Sequence, residues 1–187
     1  PSANTDGQLN VSLEQLSLDD RTLDQAELTV NGRIENHDIN LQLLWPGGTL
    51  SGAANGNWND PQWAGQLLSL SGREDEIGSW RLLSPTALVI SAEQVVLSEL
   101  RLLGDQGGRL QLKAEVQPQT WAGVLGIAWQ DLPLNYLDPW LSGPALRGQA
   151  SGMLQLETGT DRALTLEAKI QTTPTILLEG KELELSR

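Results

Sequence analysis

Few residues of this sequence have the type and spacing that catalysis or metal binding requires. His37, in the segment ENHDIN, is the only histidine, so a metal site built from several imidazoles is excluded and a Ser-His-Asp triad would depend on this single base. We favour a histidine at the surface. Glu74, Asp75 and Glu76 form an acidic run, but the run lacks the spacing of a calcium-binding loop, which favours a solvated turn.

Motifs that mark catalytic or nucleotide-binding sites are absent as well. The sequence contains no G-x-S-x-G, no P-loop and no G-x-G-x-x-G, the patterns that place a nucleophile or cradle phosphates. It also contains no cysteine, which removes disulfides, thiolate metal ligands and cysteine nucleophiles. We therefore predict a protein that is not an enzyme and that has no cofactor or metal site.

The charge balance restricts the classes of partner. The 24 acidic and 12 basic residues give a net charge of -12, and such a surface repels phosphate backbones and anionic lipid headgroups. We therefore expect no nucleic-acid partner. No apolar run approaches the roughly 20 residues that a membrane-spanning helix needs. Because the sequence begins without Met and ends inside a strand-like pattern, we interpret it as a piece of a longer protein.

Strict alternation of apolar and polar residues recurs along the whole sequence. Leu110, Leu112, Ala114 and Val116 form the cleanest run, and turn segments such as PGG, NGNWNDP and GDQGG separate the runs. Successive side chains of a strand point to opposite faces, so each run has one apolar and one polar face. The pattern predicts a mainly β fold built from antiparallel strands, with one side of the sheet in solvent.

One segment departs from this alternation. In DLPLNYLDPWLSGP, residues 131–144, leucines recur at helical spacing between an early proline and a Ser-Gly-Pro stop, which predicts one short helix. A second segment, SLEQLSLDDRTLDQAEL at residues 12–28, fits an amphipathic helix or a strand equally well.

Two short motifs occur twice in the same order. Trp-Ala-Gly begins at Trp63 and at Trp121, 58 residues apart, and Gly-Gly-x-Leu begins at Gly47 and at Gly107, 60 residues apart. This spacing predicts repeat units of several strands each, at residues 1–70 and 71–130, with a third partial unit at 131–187. In each unit, tryptophan would plug the end of the sheet, and the motif glycine, Gly65 or Gly123, would mark a close approach to the backbone.

Tryptophan is the main aromatic residue, with seven copies and no phenylalanine. The segment NGNWNDPQW places Trp58 and Trp63 among Asn, Asp and Gln, a composition that suits a stacking platform for sugar rings. However, Trp63 and Trp121 recur in the repeat, and Trp140 lies in the predicted helix. Packing in the core or at the end of the sheet is therefore the favoured interpretation.

The apolar face has two interpretations. Alternating leucine is typical of a closed sandwich core, but a face without phenylalanine also suits the methylene chains of a lipid. Each buried CH₂ contributes about 0.8 kcal/mol, so ten would contribute about 8 kcal/mol before ordering costs. The residues predicted to line a lipid groove are Leu28, Val30, Ile39, Leu41, Leu43, Leu110, Leu112, Val116, Leu125, Ile127, Leu154, Leu156, Leu164, Leu166 and Ile170.

A longer stretch, from Gly78 to Leu156, resembles a known family. It contains W-x-L-x-x-P (Trp80, Leu82 and Pro85), then VVLSELRLL and LPLNYLDPWL, and finally L-R-G-x-A-S-G-x-L-x-L from Leu146. These elements resemble the middle-to-C-terminal repeats of the TamB family, within the wider AsmA-like group. Members of the family often have a cysteine near the positions of Leu102 and Leu103, and this sequence has none.

The resemblance implies a fold and a cellular role. The fold would be an elongated, curved, folded-over sheet (a β-taco) with an open hydrophobic groove. Such proteins are anchored in the inner membrane of diderm bacteria and cross the periplasm towards an outer-membrane barrel partner of the TamA type. The expected function is a bridge whose groove carries phospholipid acyl chains between the two membranes.

Two alternatives stay open at this point. The first is a scaffold or chaperone that assembles outer-membrane protein clients by β-strand pairing, which unpaired sheet edges would favour. The second is a carbohydrate-binding β-sandwich.

Overall fold

The computed structural model describes residues 6–18, 21–136, 147–159, 163–172, 176–178 and 181–183. Twelve strands of these residues form one antiparallel sheet, and two further strands form a separate hairpin. The strands of the large sheet are β1 (Gly7–Leu18), β2 (Arg21–Arg33), β3 (Asn36–Trp45), β4 (Gly48–Asn59), β5 (Gln62–Glu74), β6 (Gly78–Leu82), β7 (Thr86–Ser91), β8 (Val95–Gly104), β9 (Arg109–Gln117), β10 (Ala122–Pro133), β11 (Gln149–Thr158) and β12 (Leu164–Thr172). The hairpin joins β13 (Ile176–Leu178) to β14 (Lys181–Leu183).

The large sheet is a meander in which nearly every strand pairs with its neighbours in sequence. The order is β1-β2-β3-β4-β5-β6-β8-β9-β10-β11-β12, and β7 pairs with β5 and β8. β6 and β7 therefore share one position in the strand order, between β5 and β8. Together they resemble a single strand that is interrupted at residues 83–85. Pro85 lies in the interruption, where its missing N–H removes no ladder hydrogen bond.

Irregularities in the strands beside this interruption bend the sheet. The register of β4 against β5 shifts between Ala53 and Ala54, and that of β8 against β9 shifts between Leu97 and Leu100. The Leu83 amide donates to the Arg101 carbonyl over 2.8 Å, and the Thr86 hydroxyl donates to the Glu99 carbonyl. The segment between β6 and β7 therefore stays hydrogen-bonded to β8. Bulges increase the local twist and bend of a sheet.

The sheet is a single layer over the residues described. None of their large side chains is fully buried, and the whole chain has an accessible surface of 13040 Å². A compact globular protein of the same mass, 20.3 kDa, would expose about 8,800 Å². The prediction of a mainly β, antiparallel, elongated and curved sheet is confirmed. A closed two-sheet sandwich does not form in this part of the chain.

The two helix predictions have different outcomes. Residues 134–136 form a 3₁₀ turn, and the rest of the short helix predicted up to residue 144 lies outside the described residues. The ambiguous segment at residues 12–28 belongs to β1 and β2 where it is described, so the strand alternative holds there.

The repeated motifs occupy equivalent places in two hairpins. Gly-Gly-x-Leu leads into β4 in the first copy and β9 in the second, and Trp-Ala-Gly opens β5 and β10. The first connection is a two-residue turn, so Trp63 lies inside the ladder opposite Trp58. The second connection spans residues 118–121, so Trp121 falls in the turn at φ 59°, and its side chain is 74% exposed. Trp121 therefore does not plug the sheet as Trp63 does.

The close approach predicted at the motif glycines is present at both. A methyl group on Gly65 would meet the Asn55 carbonyl oxygen and the Trp63 ring, and one on Gly123 would meet the Glu115 carbonyl oxygen. A backbone oxygen cannot move aside as the end of a flexible side chain can. Both hairpins therefore depend on glycine at this position.

This contact generates a prediction about stability. Replacing Gly65 with alanine should lower the free energy of unfolding by about 1–3 kcal/mol, as overpacking does. Gly126→Ala in β10 is the matched control, because a methyl group there meets nothing within 4 Å, and its effect should stay within about 0.5 kcal/mol. Urea unfolding followed by circular dichroism measures both. Equal midpoints for the two variants would contradict the described β4–β5 pairing.

Candidate functional site

The feature of the sheet that is best suited to a function is its apolar face. We use this name for the side that carries the alternating aliphatic residues. The strand register places all fifteen residues predicted to line a groove on this one face: Leu28, Val30, Ile39, Leu41, Leu43, Leu110, Leu112, Val116, Leu125, Ile127, Leu154, Leu156, Leu164, Leu166 and Ile170. Their contact with lipid remains a prediction.

The register also makes the apolar face continuous from strand to strand. Leu28 lies between Val11 and Leu41 in adjacent strands, and Leu112 lies between Leu100 and Ile127. Directly opposed residues in an antiparallel pair have Cβ atoms about 4.5–5.5 Å apart. The aliphatic side chains therefore touch across the sheet and form one surface that runs perpendicular to the strands.

The apolar face is partly shielded in the middle of the sheet and open at its two edges. Burial alternates along β3 and β9, with the apolar positions half-buried and the polar positions exposed. At the β12 edge, Leu166 is 58% exposed and Ile170 is 64% exposed, and at the β1 edge Leu9 is 55% exposed. Water therefore reaches side chains that a closed core would cover.

Charge is nearly absent from the apolar face. From β3 to β11, the register assigns no charged side chain to it among the described residues except Glu74, at the end of β5. Thr86 is a buried polar residue on this face, and its hydroxyl is satisfied by the Glu99 carbonyl. A hydrocarbon chain on the central part of the face would meet neither an ion nor an unsatisfied polar group.

Tryptophans bound the apolar face near the ends of the strands. The ring of Trp45 lies over Gly48, that of Trp80 over Gly72, and that of Trp129 over Gly152. In each pair the glycine is the direct cross-strand partner. A side chain on any of these glycines would displace the ring, so the glycines let large aromatic groups lie flat. The sequence predicted a close approach to the backbone only at Gly65 and Gly123, and did not predict these three cross-strand ring contacts.

At the opposite ends of the strands, the apolar face contains a pair of hydrogen-bonded polar groups. The Trp63 indole N–H donates to His37 Nε2 over 2.8 Å, and His37 Nδ1 lies 3.0 Å from the Arg33 carbonyl oxygen. Because an indole can only donate, Nε2 must accept, and the neutral imidazole carries its proton on Nδ1. His37 is half-buried, so the expectation of a simple surface histidine is corrected. The sequence alone had no signal for this pair, because the partners are 26 residues apart.

The described residues contain no grouping of three or more His, Asp or Glu side chains that could hold a metal ion. The acidic run Glu74–Glu76 ends β5 and enters an exposed turn. Asp75 is 71% exposed there, beside Arg73 at 4.0 Å. This arrangement suits a solvated turn.

The His37–Trp63 hydrogen bond generates a second prediction. His37→Leu should lower the free energy of unfolding by about 1 kcal/mol, because it leaves the indole N–H of the buried Trp63 without an acceptor. Trp63→Phe removes the donor together with ring packing. A double-mutant cycle by urea unfolding isolates the bond and should give a coupling of about 1 kcal/mol. Strict additivity of the two single changes would show that the bond contributes nothing.

Comparison with known proteins places the chain in a family. The family model described as "TamB, N-terminal domain" matches residues 1–183. The resemblance noted in the sequence pointed to the same family, although to its middle-to-C-terminal repeats and not to the N-terminal domain. Neither the curated proteins nor the solved structures gave a match.

Proteins of this family have a non-enzymatic role in outer-membrane assembly or lipid transport. They belong to the bacterial envelope, where they span the periplasm and work with an outer-membrane partner. None of the helical segments described here has the length and apolar character to span a membrane. Since the match extends over nearly the whole sequence, the chain belongs to the TamB family.

Proposed function

We propose that the apolar face of this sheet carries phospholipid acyl chains between the inner and outer membranes. The observation that carries the proposal is the continuity of the face: aliphatic side chains meet strand after strand, nearly without charge, under no second layer of described residues. Anchoring in the inner membrane and delivery to an outer-membrane barrel of the TamA type belong to the same proposal.

The energetics of such a path favour sliding over tight binding at one point. Ten methylenes moved out of water contribute about 8 kcal/mol before the cost of ordering the chain. Because the face repeats the same chemistry at every strand, a shift along it exchanges one set of aliphatic contacts for another. Ten interstrand spacings of about 4.8 Å give a path of roughly 50 Å. Headgroups would stay in solvent along this path.

A pair of charge substitutions tests the proposal. Leu112→Asp places a carboxylate in the middle of the apolar face, where it would oppose acyl-chain binding. Gln111→Asp adds the same charge one residue away on the polar face, where Gln111 is exposed. Native mass spectrometry of each chain purified from diderm bacterial cells should show bound phospholipid in the parent and in Gln111→Asp, and a loss of at least about tenfold in Leu112→Asp.

Stability must be separated from binding in this experiment. Leu112 is half-buried, so the loss of its side chain should cost about 1 kcal/mol, roughly half the value of a fully buried leucine, and the desolvated carboxylate adds to this cost. Leu166→Asp offers a second test with less risk to the fold, because Leu166 is 58% exposed, and Leu125→Asp offers a third. If Leu112→Asp unfolds the chain, the position belongs to a closed core. If all three variants stay folded and retain lipid, the face is not the lipid path.

Strand pairing with outer-membrane protein clients is the second candidate function. It is favoured by the two edge strands of the large sheet, β1 and β12, whose described side chains are all exposed. An exposed edge presents backbone donors and acceptors to another chain. Under this function, Leu112→Asp would leave client binding unchanged, and proline substitutions in β12 would reduce it.

A further inference from the structure

A second surface feature lies on the polar side of the sheet, away from the apolar face. A cleft of about 550 Å³ opens there across β4, β5, β6 and β8. We call it the arginine–hydroxyl cleft after its polar lining residues: Thr49, Ser51, Ser71, Arg73, Ser79 and Arg81. Leu103, Gly104 and Asp105 line its β8 side, and Gly72 and Trp80 alternate with the polar residues along β5 and β6. The register places the six polar lining residues on the opposite face from the proposed acyl-chain path.

The strand register arranges the lining residues in two rows. Arg73 lies between Thr49 and Ser79, and in the next row Ser71 lies between Ser51 and Arg81. Arg73 and Arg81 are thus diagonal neighbours on one face of adjacent strands, a relation that places side chains about 7–8 Å apart and lets long ones meet. Two guanidinium groups can therefore reach the same ligand.

The two arginines keep most of their hydrogen-bonding capacity. Arg81 is exposed and has no ion-pair partner among the residues the structure describes, and the ion pair of Arg73 is a 4.0 Å contact with Asp75 in which both side chains are about 70% exposed. Such an exposed pair contributes little. Arg101 on β8 differs, because it binds Glu99 at 2.6 Å and its hydrogen bond lowers the pKa of that carboxyl.

Asp105, the acidic residue of the cleft, is already hydrogen-bonded to the backbone of Ser79. One carboxylate oxygen of Asp105 accepts the Ser79 amide over 2.8 Å, and the Asp105 amide donates to the Ser79 carbonyl over 2.8 Å. These bonds tie the β8–β9 turn to the start of β6. The lining has one carboxylate and two guanidinium groups. Its charge is therefore net positive, although the whole chain has a net charge of -12.

Hydroxyl groups supply further donors at the same place. Ser51 Oγ and Ser71 Oγ are 2.9 Å apart, so one of their two hydrogens is used between them and the other stays available. Thr49 and Ser79 add two more hydroxyls beside Arg73. Guanidinium forks form bidentate, charge-assisted hydrogen bonds with phosphate oxygens, and each hydroxyl can add one more donor.

The geometry points to a binding site for a phosphate group in the arginine–hydroxyl cleft. Arg73 and Arg81 would bind the phosphate oxygens, with the hydroxyls of Ser71 and Ser79 as further donors. The group could come from inorganic phosphate or from the headgroup of a phospholipid, since both present the same oxygens. The site is independent of the proposed acyl-chain path, so either can fail without the other.

Nuclear magnetic resonance titrations of the ¹⁵N-labelled chain test this site. The probes are inorganic phosphate and, separately, dihexanoylphosphatidylglycerol below its micelle concentration, each against sodium chloride at the same ionic strength. We expect saturable shifts of the Ser71, Ser79 and Arg81 amides. The probe that produces them identifies the source of the phosphate.

Substitutions then assign the binding to the arginines. Arg81→Gln should weaken binding about tenfold, the loss expected for one charge-assisted hydrogen bond, and Arg81→Lys should recover only part of it because lysine lacks the planar fork. Lys169→Gln on β12 is the control of equal charge change, since Lys169 lies outside the cleft and pairs with Glu167 at 3.0 Å. Shifts that chloride reproduces, or that survive Arg81→Gln in a folded chain, would overturn the proposal.

Discussion

The register of the antiparallel ladder is the constraint on which the rest of the structure depends. Because side chains alternate between faces with a period of two, a slip by one residue in any strand would move its leucines into the polar face. Pairs such as Val30 with Ile39 and Leu125 with Leu156 keep the aliphatic residues on one side. That side is a poor core by itself, since no second layer of described residues covers it.

Glycine and tryptophan hold this register at the ends of the strands. Rings over Gly48, Gly72 and Gly152 cover backbone that would otherwise face water, and a ring in place over its glycine opposes slippage of the two strands. The shifts at Ala53/Ala54 and Leu97/Leu100 act differently, because they bend the sheet without exchanging its faces. Curvature and an uninterrupted apolar face are therefore compatible.

The sequence predicted the strands, the apolar face and the family, but not the contacts between residues that are distant in the sequence. Alternation alone sufficed to put Leu112 and Ile127 on one face. It did not indicate the His37–Trp63 hydrogen bond or the diagonal placement of Arg73 and Arg81 on adjacent strands, because strand order and register decide both. The two Trp-Ala-Gly copies look alike in sequence, yet turn length places Trp63 in the ladder and exposes Trp121. Local motifs do not record the length of the turn that precedes them.

Photo-crosslinking in living cells tests the central claim most directly. A benzophenone amino acid would replace residues of the apolar face and their polar neighbours in three strands: Leu41, Leu112 and Leu154 against Gln42, Gln111 and Gln155. An apolar path for acyl chains predicts phospholipid adducts at the three leucine positions and none at the three glutamine positions. Equal labelling of both sets, or no lipid at the leucine positions in a folded chain, would contradict it.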